Sequence, residues 1–142
     1  MKTKTTTAAA VIMLFASLLA CAQGQEQTVN DEDIAVISFE DMNYPAVARS
    51  AHLEGVVVIR VRLDDTGKVV SATAVSGAKA LVFDVMPNIQ KWRFRPNAAK
   101  AAVIIYEFRL ATGQCGQRVR EQFVFRAPNV ATVTGCEEHW QP

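Results

Sequence analysis

Val56-Val57-Val58-Ile59-Arg60-Val61-Arg62-Leu63, running into Asp64-Asp65-Thr66-Gly67, is the stretch on which the fold turns. It starts as a β-branched run and ends in strict alternation, placing Val57, Ile59, Val61 and Leu63 on one face of a strand and Arg60 and Arg62 on the other. Asp64 to Gly67 supply turn residues, Gly67 being free to take a positive φ. Lys68 to Ser76 is the returning strand. Its core face is left open by the sequence, because Val70, Ala72 and Ala74 compete with Val69, Ser71, Thr73 and Val75.

Upstream, Tyr44-Pro45 opens a short helical segment over Pro45 to Ala51, since proline suits a first helical position whose N–H would be unpaired anyway. Tyr44, Val47, Ala48 and Ala51 give it a buried face, and Gly55 is expected to end it. Ile34 to Phe39 reads as an edge strand. Downstream, Leu81, Val85, Ile89 and Trp92 fall at i, i+4, i+8 and i+11, the stripe of an amphipathic helix. Pro87 inside it predicts a kink. Trp92-Arg93-Phe94-Arg95-Pro96 then leaves in an extended stretch. Ala101 to Leu110 alternates again, with Ile104, Tyr106, Phe108 and Leu110 on the apolar face and Val103, Ile105, Glu107 and Arg109 on the other. Phe123-Val124-Phe125 and Val130 to Thr134 are expected to form a further hairpin around Pro128-Asn129.

Export is written at the N-terminus. Lys2 and Lys4 precede an apolar run from Ala8 to Ala20, which as a helix would rise about 20 Å against a hydrocarbon core of ~30 Å. Residues 1–22 are therefore a signal segment rather than a span. Two processing routes stand: ordinary cleavage at Ala20-Cys21-Ala22, or lipidation of Cys21 after the lipobox-like Leu18-Leu19-Ala20. Residues 23–38 are read as a polar, acidic tether with the possible edge strand, 39–112 as the domain, and 113–142 as a C-terminal extension.

An oxidising compartment changes the cysteine arithmetic. With Cys21 in the leader, Cys115 and Cys136 remain as a disulfide pair closing a loop of about 20 residues, worth roughly 3 kcal/mol by loop entropy. A metal site at Cys136, Glu137, Glu138 and His139 is the weaker alternative, since no C-x-x-C occurs.

The 142 residues carry 15 Lys and Arg against 14 Asp and Glu. Losing Lys2 and Lys4 with the leader leaves 13 basic against 14 acidic side chains, a net −1. A near-neutral chain has no electrostatic drive towards nucleic acid, so Arg60, Arg62, Arg93, Arg95 and Arg109 read as solvated strand positions. Trp92 and Tyr44 read as core anchors, the Tyr44 hydroxyl finding a backbone partner. Glu54 and Asp84 are isolated carboxylates. Gly-x-Ser-x-Gly, His-Glu-x-x-His and a phosphate-cradling glycine loop are all lacking from the sequence, and neither an enzyme nor a cofactor is expected.

The order helix, strand, turn, strand, helix, Trp-x-Phe-x-Pro, strand comes with Tyr44-Pro45-x-x-Ala48-Arg49, Gly55-Val56-Val57-Val58, Asp65-x-Gly67, Ser76-Gly77, Trp92-Arg93-Phe94-x-Pro96 and Tyr106-x-Phe108-x-Leu110. Together they resemble the C-terminal domain of the TonB family over roughly Asp41 to Leu110. The resemblance implies an α+β fold of two helices packed on a small antiparallel sheet, here with a disulfide-stapled extension. It also implies a periplasmic protein that pairs an edge strand with an extended segment of an outer-membrane receptor. Strand addition satisfies exposed main-chain groups, and alternate side chains give selectivity. The strand from Ala101 to Leu110 corresponds to the family's pairing strand, which puts Val103, Ile105, Glu107 and Arg109 at the expected contact and makes edge-to-edge homodimerisation through it plausible.

Two features depart from an energy transducer: the leader is too short to span, and the tether reaches at most ~70 Å extended. A second reading therefore stands beside the first. In it the extension after Leu110 covers the pairing strand, and the chain is a self-contained structural or accessory envelope protein or lipoprotein.

Overall fold

The computed structural model of the chain describes residues 30–112 and 122–137. The decisive alternation is realised as β2 (Gly55–Leu63), with Val57, Ile59 and Val61 fully buried and Leu63 nearly so. It turns back into β3 (Val69–Ser76) through a loop that its own side chains fold. The Asp64 carboxylate accepts from the Thr66 and Lys68 main-chain N–H groups at 2.9 and 3.0 Å and from the Thr66 hydroxyl at 2.7 Å. Those bonds hold its carboxyl below the usual range, the Thr66 hydroxyl contributing most. Gly67 sits at φ 82°. A Cβ there would lie 1.8 Å from the Phe94 carbonyl oxygen, so both the turn and the passing chain require glycine.

Neither alternation proposed for β3 holds throughout. Its register with β2 slips between Val58 and Ile59 and again between Arg62 and Leu63, so that Val69 opposes Leu63 while Ala72 opposes Val61. Bulges of this kind carry a residue out of the period of two.

The remaining elements are a 3-10 turn at Asp31–Asp33, β1 (Val36–Ser38), α1 (Ala46–Ser50), α2 (Lys79–Ile89), β4 (Arg93–Phe94), β5 (Ala101–Ala111), β6 (Gln122–Arg126) and β7 (Val130–Cys136). The expected upstream edge strand forms as β1, but it pairs with β4 in a separate two-stranded sheet rather than joining the main one. α1 is closed by His52 rather than Gly55. His52 takes φ 50°, its N–H bonds the Arg49 carbonyl and the Leu53 N–H bonds the Ala48 carbonyl, a left-handed cap of the Schellman type. Pro87 lies inside α2 in its last turn, two residues before the end, rather than at its middle. Leu81, Val85, Ile89 and Trp92 are all fully buried, with Trp92 carried past the helix on a tight turn.

The main sheet has the order β3-β2-β5-β7-β6. The expectation of a purely antiparallel sheet needs correction: β3, β2 and β5 are antiparallel neighbours, but β7 joins β5 in parallel and β6 returns antiparallel to β7. Local patterning does not report strand direction, and a parallel neighbour needs only a long enough connection. The core lies on one face of this mixed sheet, where Tyr106 and Phe108 meet Trp92 and Tyr44 with ring centroids 5.8 and 5.6 Å apart. The other face carries no helix among the described residues.

Candidate partner-pairing site

β5 presents two rows of main-chain groups. The Ile105 N–H donates to the Asn129 carbonyl at 2.9 Å, and from there β7 runs alongside, Val130 opposite Ile105 and Cys136 opposite Ala111. Main-chain groups alternate in direction along a strand, so Ile105, Glu107 and Arg109 address β7 while Ile104, Tyr106 and Phe108 address β2. The residues expected to receive a partner therefore do face away from β2. The open edge expected there is corrected, however: β5 is an interior strand, and β7 occupies its outer row from Ile105 onward. Val103 precedes that ladder, and among the described residues no main-chain group bonds it on this side.

The side chains of this row lie on the helix-free face. Glu107 Oε2 accepts from Arg109 Nη2 at 3.1 Å, from Arg126 Nη2 at 3.1 Å and from Thr132 Oγ1 at 3.3 Å, lacing β5, β7 and β6 together. Each exposed pair is worth a fraction of about 1 kcal/mol, so the lacing fixes register more than it adds stability.

Beneath the row, β7 is built into the core. Ala131 and Val133 are buried, and Gly135 passes so close to Tyr44 that a Cβ would meet the ring at 2.6 Å. Asn129 is buried at the foot of the strand and donates to the Asp31 carboxylate at 3.0 Å. The Tyr44 hydroxyl donates to the Leu53 carbonyl at 2.6 Å, the backbone partner its sequence position called for.

Sequence reasoning missed Asn88. It is buried at the end of α2, donates to the carbonyls of Glu40 and Asp41 at 2.9 and 3.3 Å, and accepts from Trp92 Nε1 at 3.1 Å and the Tyr106 hydroxyl at 2.8 Å. The available signal was a polar residue one turn before Trp92, on the apolar stripe. Burial pushes the Tyr106 phenol well up, and burial with the Glu54 carboxylate pushes Tyr44 up to about 12.

Cys21 and Cys115 lie outside the described residues, as does His139. Cys136 is buried at the end of β7, and the neighbouring Glu137 carboxylate meets His52 Nδ1 at 3.0 Å. Among the described residues no three His, Cys, Asp or Glu side chains gather around a common point that would hold a metal ion. An open hollow beside α2 is lined by Glu40, Asp41, Asp84 and Lys91, with Lys91 paired to Glu40 at 2.7 Å.

Three comparisons bear on this arrangement. The family model described as the Gram-negative bacterial TonB protein C-terminal matches residues 40–110. The solution NMR structure of the Pseudomonas aeruginosa TonB C-terminal domain aligns at 21% identity over 56% of this chain and 88% of that one, with a TM-score of 0.44. No curated protein matches the sequence.

Proposed function

The chain belongs to the TonB C-terminal domain family, whose members are periplasmic, non-enzymatic and tied to transport through outer-membrane receptors, and from that premise we propose that it is a self-sealed member. In this reading it is an exported envelope protein in which its own β7 holds the place along β5 where the resemblance puts a partner's strand. Its work is that of an accessory or structural module, without capture of a receptor segment at β5. The observation that carries it is the parallel ladder from Ile105 to Ala111, backed by two core residues of the covering strand, Ala131 and Val133. A loose flap would not contribute to the core.

The rival reading, strand addition at Val103, Ile105, Glu107 and Arg109, requires β7 to leave and Ala131 and Val133 to be exposed with it. Titration with an extended receptor-type peptide separates the two. The sealed reading expects the amide resonances of Ile105, Glu107 and Arg109 to stay in place; progressive, saturable shifts there would establish displacement instead.

Export with a Cys115–Cys136 bridge fits the same reading. A bridge from Cys136 would tether β7 at its far end. A count of free thiols tests the bridge, and the mass of the exported chain decides whether Cys21 is acylated.

A further inference from the structure

With β5 interior, the rims of the main sheet are β3 and β6. The β3 ladder slips twice, an irregularity that hinders an edge from templating another strand. β6 has no such protection. It runs without a slip from Gln122 opposite Thr134 to Arg126 opposite Val130, and contains no Pro, Gly or Lys.

Which of its main-chain groups face outward follows from the neighbouring ladder. Ile105 bonds Asn129, so the odd-numbered residues of β7 serve β5 and the even-numbered ones serve β6. Gln122, Val124 and Arg126 are then the bonded partners of β7, and Phe123 and Phe125 turn their N–H and C=O groups away from the sheet. No main-chain group among the described residues bonds them.

Gln122-Phe123-Val124-Phe125-Arg126 reads almost alike in both directions about Val124. We propose that this rim docks a second copy of the chain, the two β6 strands pairing antiparallel around a two-fold axis at Val124. Phe123 then opposes the partner's Phe125 as a hydrogen-bonded pair, twice over, giving about four main-chain bonds. Val124 meets its own copy as the close, non-bonded pair. A two-fold interface has to be self-complementary, and this pattern is.

The charges agree. Arg126 lies opposite the partner's Gln122 rather than a second Arg126, and its own charge is held at 3.1 Å from Glu107 within its sheet. On the core side, Phe39 is 47% exposed while touching Phe123 and Phe125 with centroids 5.6 and 5.2 Å away. Pairing would continue that aromatic layer across the axis. An interface of one short strand per copy is small, so the association is reversible on dilution.

Sedimentation of the mature chain, without residues 1–22, over a concentration series tests it, with two variants at Val124, which is 38% exposed. The expected result is a mass that rises towards twice the monomer value, and a Val124→Lys chain that stays monomeric with an unaltered circular dichroism spectrum. A Val124→Cys chain should oxidise to a covalent dimer that the unsubstituted chain does not form, because non-bonded antiparallel pairs sit about 4.5 Å apart at Cα. A monomer at every concentration with no cross-link at Cys-substituted Val124, or a dimer that persists in Val124→Lys, overturns the proposal.

Discussion

Gly135 lies against the ring of Tyr44, at a distance that leaves no room for even a methyl group. Ninety-one positions separate the two residues in the chain, and one belongs to the last strand while the other leads into the first helix. Their contact joins the C-terminal hairpin to the body of the domain.

Gly135→Ala should therefore act as an overpacking change. A Cβ 2.6 Å from the ring must push Tyr44 or β7 aside, at a cost of roughly 1–3 kcal/mol. Chemical denaturation measures the loss. The accompanying sign is faster exchange of the Ile105, Glu107 and Arg109 amides, which β7 protects.

In the unsubstituted protein those three amides should exchange with solvent only when the whole domain unfolds, because their acceptors belong to a strand with a buried inner face. At concentrations that keep the chain monomeric, the Phe123 and Phe125 amides should exchange without such protection. Native-state hydrogen exchange compares the two sets in one experiment.

Asn88→Leu removes the acceptor of two buried donors, Trp92 Nε1 and the Tyr106 hydroxyl. Leaving both unpaired should cost roughly 2–4 kcal/mol. Tyr106→Phe deletes one donor and leaves Asn88 bonded to Trp92, so about 1 kcal/mol is expected. A larger loss in the tyrosine variant than in the asparagine variant would contradict this assignment of the network.

Alkaline pH should weaken the fold through the phenols. Tyr44 titrates at about 12 when folded, against its ordinary 10.0. A folded value above the unfolded one means the native state holds the proton more tightly. The stability linked to Tyr44 is then complete below about pH 10 and is lost as the pH climbs towards 12. Tyr106 shifts in the same direction. Denaturation midpoints across that window should fall more steeply in the unsubstituted protein than in Tyr44→Phe.

What the sequence discloses depends on how local the signal is. The β2 alternation, the Leu81–Trp92 stripe and the β5 alternation are periodic within one element, and each appears in the structure with the faces expected of it. β3 defeats the same method because two bulges break its period. The helix stop at His52 is invisible by residue type, since a non-glycine takes the left-handed position there. Asn88 looks like a surface polar residue until Trp92 and Tyr106 are known to meet above it. The largest difference concerns β7. A strand's own residues say which face is apolar, but not which strand it lies beside, or in which direction. Val103, Ile105, Glu107 and Arg109 could thus be assigned the correct outward row without any sign that the row was filled.

Order along the chain gives that filled row a temporal side. Strands β2, β3 and β5 and both helices are synthesised before Val130 emerges. Until then the central strand is bare on one flank, and the hollow under Ala131 and Val133 is open to water. Any product truncated ahead of that point would leave the outer row of β5 unpaired, an exposed edge open to pairing with other chains.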